Sequence, residues 1–321
     1  MATSSINGLG PRPAFLFPGQ GSQTVGMGKD LYESSPAARK LFDQVDQALG
    51  EPLTKYMFEG PEEELNRTWN CQPAIMAMSL ACLAAAGEAN NETVSSPYLM
   101  AGHSLGEYTA LVVSGVMDLS HAVNLVRERG RLMEEACEEH PGSMAAILGL
   151  DQAVVEEVCR QAGVQVANIN SPGQIVISGD REKLDEAVKL AKEQGARKVI
   201  RLPVSGAFHS YLMGPALGGM LKALDDVEFN HPSIPVIGNC TAKPLNANRD
   251  VKEELAEQLC GCVQWQECIS YMLKEGVTSF IEFGPGKVLS GLVKQITKEA
   301  PVLTVNDLAS AQGLSNGLSG N

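Results

Sequence analysis

The sequence predicts an α/β protein whose mainly parallel sheet is interrupted by a smaller inserted unit. Three observations carry that expectation. The apolar run Tyr98-Leu99-Met100-Ala101 passes through Gly102-His103-Ser104-Leu105-Gly106 into the helical pattern Glu107 to Val113, which reads as strand, tight turn, helix. Strand-like and helix-like segments alternate along both ends of the chain, as in parallel sheets joined by crossover helices. Between them, about 138–204, the order becomes strand, helix, strand, strand, helix, strand, a ferredoxin-like signature. The large α/β unit is therefore assigned to 14–137 and 205–308, and the inserted unit to 138–204.

A chain of 321 residues with 44% hydrophobic content is long enough for a large core with an insertion. The net charge of −13 argues against a nucleic-acid partner. The longest weakly polar run, Ile75 to Gly87, is too short and Ala-rich to span a bilayer, so no membrane segment is expected. The 8 cysteines are scattered without a C-x-x-C pair or zinc spacing. Free thiols in a reducing compartment and no metal are the expectation. Residues 1–13 lack the apolar core of a signal peptide and could be a transit-peptide remnant or a cloning scar. They and the Ser/Gly/Asn-rich 309–321 are expected to be disordered tails.

Taken in order, Ala14-Phe15-Leu16-Phe17 reads as the first strand and Pro18 to Gln23 as a Gly-rich loop. Such a loop can bring main-chain N–H groups close to a ligand, or can be a connection without chemistry. Helical patterns follow at 36–49, 61–66 and 72–87, the last with Pro73 in its first turn. After the strand at 98–101, the next helix closes at Gly115, and another covers 119–137. In the insert, 144–150 is a strand, 152–162 a helix, 164–169 and 174–178 strands around Asn170-Ser171-Pro172-Gly173, 181–194 a helix and 199–204 a strand. Beyond it come a long helix to 226, a strand at 234–239, helices at 250–259 and 264–275, and a strand at 279–283. Gly284-Pro285-Gly286-Lys287 lacks phosphate-loop spacing and reads as a tight βα turn.

The turn around Ser104 is where chemistry concentrates. G-x-S-x-G between a strand and a helix is the setting of a nucleophile elbow, in which flanking glycines permit a sharp turn and the serine hydroxyl projects. The following helix points its N-terminal N–H groups at charge forming on a substrate. The competing reading is a Gly-rich turn with an incidental serine. A serine nucleophile needs a base, and of 5 histidines His209 is best placed, opening a helix after Gly206 and Ala207. A structural histidine is the alternative there. Arg127, Arg129 and Arg131 share a helix whose charges could equally form a solvated face. No Asp or Glu stands out as a third member of a triad.

Five blocks together resemble the malonyl-CoA:acyl carrier protein transacylases: Phe17 to Gln23, Gly102 to Tyr108, Val204 to His209, Val263-Gln264-Trp265 and Glu282 to Leu289. They fall in that family's order and cover about 14–300. The resemblance implies an α/β-hydrolase-like core with a ferredoxin-like insert. It implies Ser104 as nucleophile and His209 as base. Main-chain N–H groups of Gln20 and Leu105 would form the oxyanion hole. Arg129 would hold the malonyl carboxylate, Gln264 would orient the histidine through its main-chain carbonyl, and Phe208 would restrict the pocket to an unbranched acyl group. Asn168 and Asn170 lie near the pocket wall without an assigned role. Cys260-Gly261-Cys262 departs from the family's usual loop, which leaves the local shape there open.

The function so implied is transfer of malonyl from malonyl-CoA, through a malonyl-serine, to the phosphopantetheine thiol of acyl carrier protein. It requires neither metal nor cofactor. The enzyme is expected to be a monomer, with Lys287 and Lys294 as candidates for a basic docking patch. Bacterial cytoplasm or plastid stroma is the expected compartment, ahead of mitochondrial matrix. A serine thioesterase or esterase would use the same serine and histidine, and a non-catalytic binding subunit could keep the fold. A detached polyketide-type acyltransferase is the nearest competitor. With no ketosynthase or carrier segment in the chain, a discrete enzyme of fatty-acid synthesis is favoured.

Overall fold

Ten strands lie among the described residues, 9–90 and 96–314, of this computed structural model. They are β1 (Pro13–Phe17), β2 (Leu99–Gly102), β3 (Gly142–Leu148), β4 (Gln165–Ser171), β5 (Gln174–Asp180), β6 (Lys198–Arg201), β7 (Val236–Ile237), β8 (Pro244–Leu245), β9 (Ser279–Phe283) and β10 (Val302–Val305). The larger sheet has the order β10-β9-β1-β2-β7-β8, parallel throughout except for the β7–β8 pair. Every residue of β1, β2 and β9 is buried, as central parallel strands covered on both faces must be. The smaller sheet, β4-β5-β3-β6, is antiparallel and interleaved in sequence with helices Gln152–Ala162 and Arg181–Glu193. Main-chain hydrogen bonds join the two regions: Ile169 N–H to Val263 O and Val263 N–H to Ala167 O, each 2.9 Å.

This topology positions the site. β1 and β2 are neighbours, with Phe17 opposite Gly102. The Gly-rich loop after β1 and the turn after β2 therefore open at the same carboxyl edge, where open parallel sheets bind ligands. The loop rests on the turn: a Cβ at Gly19 would lie 2.5 Å from the carbonyl oxygen of His103.

The helix expected over 72–87 is longer, Thr68–Ala89, so Pro73 lies inside it rather than in its first turn. Proline deprives the carbonyl four residues earlier of its helical donor. That carbonyl, Trp69 O, instead accepts Arg127 Nη1 at 3.1 Å. The helix is long and apolar enough to cross a membrane by length and composition, contrary to the sequence reading. Its residues are nevertheless mostly buried within this protein, where it forms the centre of the main core.

Several elements were not anticipated: helices Lys29–Ser34, Leu53–Glu59 and Val288–Ile296, and strand β10. The expected strand at 234–239 shrinks to Val236–Ile237 because the chain turns at Gly238. Both expected tails are shorter than supposed. Leu9 is buried, and helix Leu308–Gly313 is capped by Asp307, which accepts Ser310 N–H at 2.7 Å. The remainder of those tails, 1–8 and 315–321, lies outside the described residues. Glu282 at the end of β9 explains the turn that follows: its buried carboxyl accepts N–H groups of Leu289 (3.0 Å) and Ser290 (2.8 Å). The protein's own side chain thereby fills the start of helix Val288–Ile296.

Candidate active site

The turn after β2 is too tight for side chains on its glycines. A Cβ on Gly102 would sit 1.8 Å from Gly106 C, and one on Gly106 would sit 2.0 Å from Phe17 O. Between them Ser104 adopts φ 51° and ψ −109°, a conformation L-residues rarely keep unless the surroundings enforce it. Buried Asn239 enforces it from the loop after β7: its Oδ1 accepts Ser104 N–H and its Nδ2 donates to Gly102 O, both at 2.7 Å. Helix Leu105–Val113 begins directly after the serine.

His209 is the second residue with a left-handed backbone, at φ 55°; among the described non-glycine residues only Ala242 joins these two. Its Nε2 lies 2.9 Å from Ser104 Oγ and its Nδ1 2.8 Å from Gln258 O. A carbonyl only accepts, so Nδ1 carries the proton and Nε2 is left to accept from the serine hydroxyl. Burial, followed by the neighbouring Arg129 charge, lowers His209 to about 3 and keeps it neutral.

The carbonyl facing His209 thus belongs to Gln258, and the expectation for Gln264 is corrected. Gln264 O accepts Cys268 N–H at the start of helix Trp265–Lys274, and Gln264 N–H donates to Asn239 O. Gln258 instead follows the last residue of helix Asn248–Glu257, where carbonyls lack helical donors and can face elsewhere.

Of the three arginines on helix Leu119–Glu139, Arg129 alone is fully buried, at 1% exposure. Arg131 pairs with Glu128 and Glu135 at the surface, and Arg127 with Glu51, Asn70 and Trp69 O. Arg129 Nη1 donates to Gln72 Oε1 (2.7 Å), and Nη2 to Gln258 Oε1 (2.9 Å) and Ser104 Oγ (3.2 Å). The guanidinium carbon stands 5.3 Å from the centre of the Tyr108 ring. Its direct polar partners are two neutral amides and a hydroxyl, none of which cancels its charge. Gln72, Gln258 and Asn239 were missed in the sequence because an uncharged amide carries no motif. The one available signal was the position of Gln258 at a predicted helix end.

The other expected residues surround this centre. Gln20 lies half-buried in the loop packed on the turn, Leu105 is buried as the first residue of the helix, and Phe208 is buried beside His209. Asn170 Oδ1 is 2.9 Å from His103 Nε2, and Asn168 forms a bridge with Val263. All eight cysteines are free, and no group of three or more potential metal ligands occurs among the described residues.

A strained serine turn, a neutral histidine and a buried guanidinium at one sheet edge make an arrangement able to support serine-based acyl transfer. Residues 14–314 match the acyl transferase domain family, and the chain belongs to it. It is 48% identical over 299 residues to the malonyl CoA-acyl carrier protein transacylase of Bacillus subtilis, covering 92% of this chain and 93% of that protein. The Escherichia coli K12 protein of the same name is 42% identical over 298 residues, covering 92% and 96%. Among solved structures, an acyl carrier protein S-malonyltransferase from Vibrio cholerae superposes with a TM-score of 0.90 at 41% identity, covering 95% of this chain and 100% of that one. A malonyl-transacylase solved with its type II PKS acyl-carrier protein gives 0.91 at 39% identity, covering 95% and 99%.

Proposed function

We propose that this acyltransferase moves the malonyl group of malonyl-CoA to the phosphopantetheine thiol of acyl carrier protein through Ser104, supplying fatty-acid synthesis. His209 Nε2 takes the Ser104 hydroxyl proton as Oγ attacks the thioester carbonyl. The tetrahedral oxyanion is assigned to the main-chain N–H groups of Gln20 and Leu105. Leu105 N–H opens a helix and has no partner within it. The C–S bond then breaks, and the imidazolium returns the proton to the departing CoA thiolate. In the second half the carrier thiol gives its proton to His209 and attacks the malonyl-serine ester, and collapse returns the proton to Ser104 Oγ.

One observation carries the choice of acyl group: Arg129 is buried, held by neutral amides, and 3.2 Å from Ser104 Oγ. A malonyl ester on Oγ places a free carboxylate within reach of that guanidinium, whose fork can take it in two parallel hydrogen bonds. Phe208 is assigned to the wall that excludes a branched α-carbon.

The accompanying fold reading is an α/β-hydrolase-like core, 14–137 and 205–308, with a ferredoxin-like insert at 138–204. The βαββαβ order and the strand order β4-β5-β3-β6 support it. The eight free cysteines support a reducing compartment, assigned to bacterial cytoplasm or plastid stroma. The enzyme is assigned as a monomer that docks carrier protein through a patch including exposed Lys287 and Lys294.

Intact-mass analysis after mixing with malonyl-CoA or acetyl-CoA tests the reading. One malonyl group on Ser104, discharged by holo-carrier protein faster than by water, is expected. Rapid discharge by water alone would make the protein a hydrolase, and no adduct would remove the catalytic reading.

A further inference from the structure

We propose that Glu107 is a positioning residue for acyl-group selection: its buried side chain accepts from the Gln258 amide and so holds that amide, and through it Arg129, in place. The inference rests on the reading of Arg129 as the malonyl-carboxylate clamp.

Glu107 is the third residue of helix Leu105–Val113 and is completely buried. It touches no reacting group. Its carboxyl meets Gln258 and the main-chain N–H of Asn239. Gln258 Nε2 donates to Glu107 Oε2 and, at 3.1 Å, to Ser104 O. The other end of the same amide, Oε1, accepts Arg129 Nη2. Arginine can only donate, so the oxygen must face it, and both amide hydrogens are then directed to the Glu107–Ser104 side.

Of those two acceptors, Ser104 O is already used by Glu107 N–H at 3.0 Å. Glu107 is therefore the acceptor that fixes the donor end of the amide. Without it a buried N–H is stranded, an arrangement folded proteins relieve by moving the group. Any such movement of Gln258 takes with it one of the two amide anchors of Arg129.

The arrangement also explains why a carboxyl group can sit so near the clamp without disabling it. Glu107 does not ion-pair with Arg129; Gln258 stands between them. Burial, and then the charge of nearby Glu254, pushes the Glu107 carboxyl well above the usual carboxylate range and favours its neutral form. The guanidinium charge is left for the substrate. The role requires an acceptor of the right length and does not require a negative charge.

That distinction sets the experiment. The readout is the malonyl-to-acetyl ratio of kcat/KM for acyl-enzyme formation, since a purely structural defect would lower both rates and leave the ratio unmoved. Glu107→Gln retains an acceptor at the same reach and should keep the ratio within about threefold of wild type. Glu107→Leu fills similar volume without an acceptor and should lower it at least about tenfold, equivalent to about 1.4 kcal/mol. Should Glu107→Leu not fold, Gln258→Leu with Glu107 intact is expected to lower the ratio similarly.

An unchanged ratio in folded Glu107→Leu, or in Gln258→Leu if that variant has to stand in, overturns the proposal. So does a ratio in Glu107→Gln as low as in Glu107→Leu, which would make the charge the active property. Arg129→Ala, measured alongside, separates this outcome from failure of the clamp itself. If that variant keeps the wild-type ratio, the parent reading fails. If it loses the ratio while Glu107→Leu does not, only the role of Glu107 fails.

Discussion

Two sides of Ser104 are built by different means. On one side, the serine and His209 both stand in left-handed backbone conformations. The serine is set by its glycine-flanked turn and the Asn239 brace, and the histidine is oriented through Gln258 O. On the other side, Arg129 has helical backbone and depends on side chains 57 and 129 residues away, Gln72 and Gln258. The proposed bond-making groups stand on strained turns, one of them braced by an amide 135 residues away, whereas the proposed choice of acyl group rests on amide side chains around a helical arginine. Except at Gln258, which serves both, each side should therefore fail separately.

The largest effect belongs to the reactive side. Ser104→Ala replaces one small residue by another in the turn but removes the acyl acceptor. Acyl-enzyme formation should fall at least about a thousandfold for malonyl- and acetyl-CoA alike, on the scale seen when other nucleophiles are removed. Retention of more than about a tenth of wild-type turnover, with purity checked by mass, would mean that Ser104 does not carry the group.

Arg129→Ala should break the other side and spare the first. Removing one member of a buried, hydrogen-bonded charge pair costs about 2–5 kcal/mol, or roughly 30-fold to several-thousand-fold at about 1.4 kcal/mol per decade. Malonyl loading should drop by that factor while acetyl loading holds or rises, because acetyl brings no carboxylate to pair. An equal loss for both substrates would merge the two sides into one.

The comparison also accounts for what could be read from the sequence. The turn at Ser104 was legible because its strain demands glycines at fixed offsets, and β1, β2 and the strands of the smaller sheet because apolar runs and turn residues mark them. Arg129 became legible only through family resemblance, since its neighbours Arg127 and Arg131 look alike in the sequence and are both only half-buried. The amides were not legible. Gln72 is one polar residue on a helix that is otherwise mostly buried and apolar, and Gln258 stands six positions from the glutamine first assigned to orient the histidine. Helix boundaries decide between Gln258 and Gln264, because a carbonyl beyond a helix end is free whereas one opening a helix is already bonded. The short strands β7 and β8 and the helix at 308–313 were blurred for a related reason: tertiary contacts and one cap, rather than periodicity, fix them.

pH separates the sides more finely. The proposed mechanism uses His209 as a neutral base, and burial beside Arg129 lowers it to about 3. Its depressed value means that activity should not decline as pH falls through about 6.5, where an unperturbed imidazole would be half protonated. The stability linked to this group has the same sign: fully present above the unfolded value and lost as pH falls toward the folded one. Acetyl-CoA is the substrate to use, since it has no carboxylate of its own to titrate near the clamp. In pre-steady-state loading, kcat/KM should be flat from about pH 8 to 5.5; a half-maximal point near 6.5 would show that the imidazole is not desolvated as described.

The smallest effect tests whether the clamp is shared between its two amides. Gln72 is buried on helix Thr68–Ala89, and its Oε1 accepts Arg129 Nη1 at 2.7 Å. Gln72→Leu keeps the volume approximately and removes that acceptor. The full penalty for stranding a buried donor is about 1–3 kcal/mol, but the malonyl carboxylate can itself satisfy Nη1 once bound. Part of the loss is thereby recovered in the very complex being measured. The malonyl-to-acetyl ratio should fall only about 3- to 10-fold, roughly 0.7–1.4 kcal/mol, well short of Arg129→Ala. Acetyl loading, which uses Ser104, His209 and Asn239, should change less than twofold by the same scale. A fall matching Arg129→Ala would mean that Gln72 alone holds the guanidinium. No fall would mean that Gln258 does, which would place the selectivity of this site entirely on the helix end whose carbonyl also orients His209.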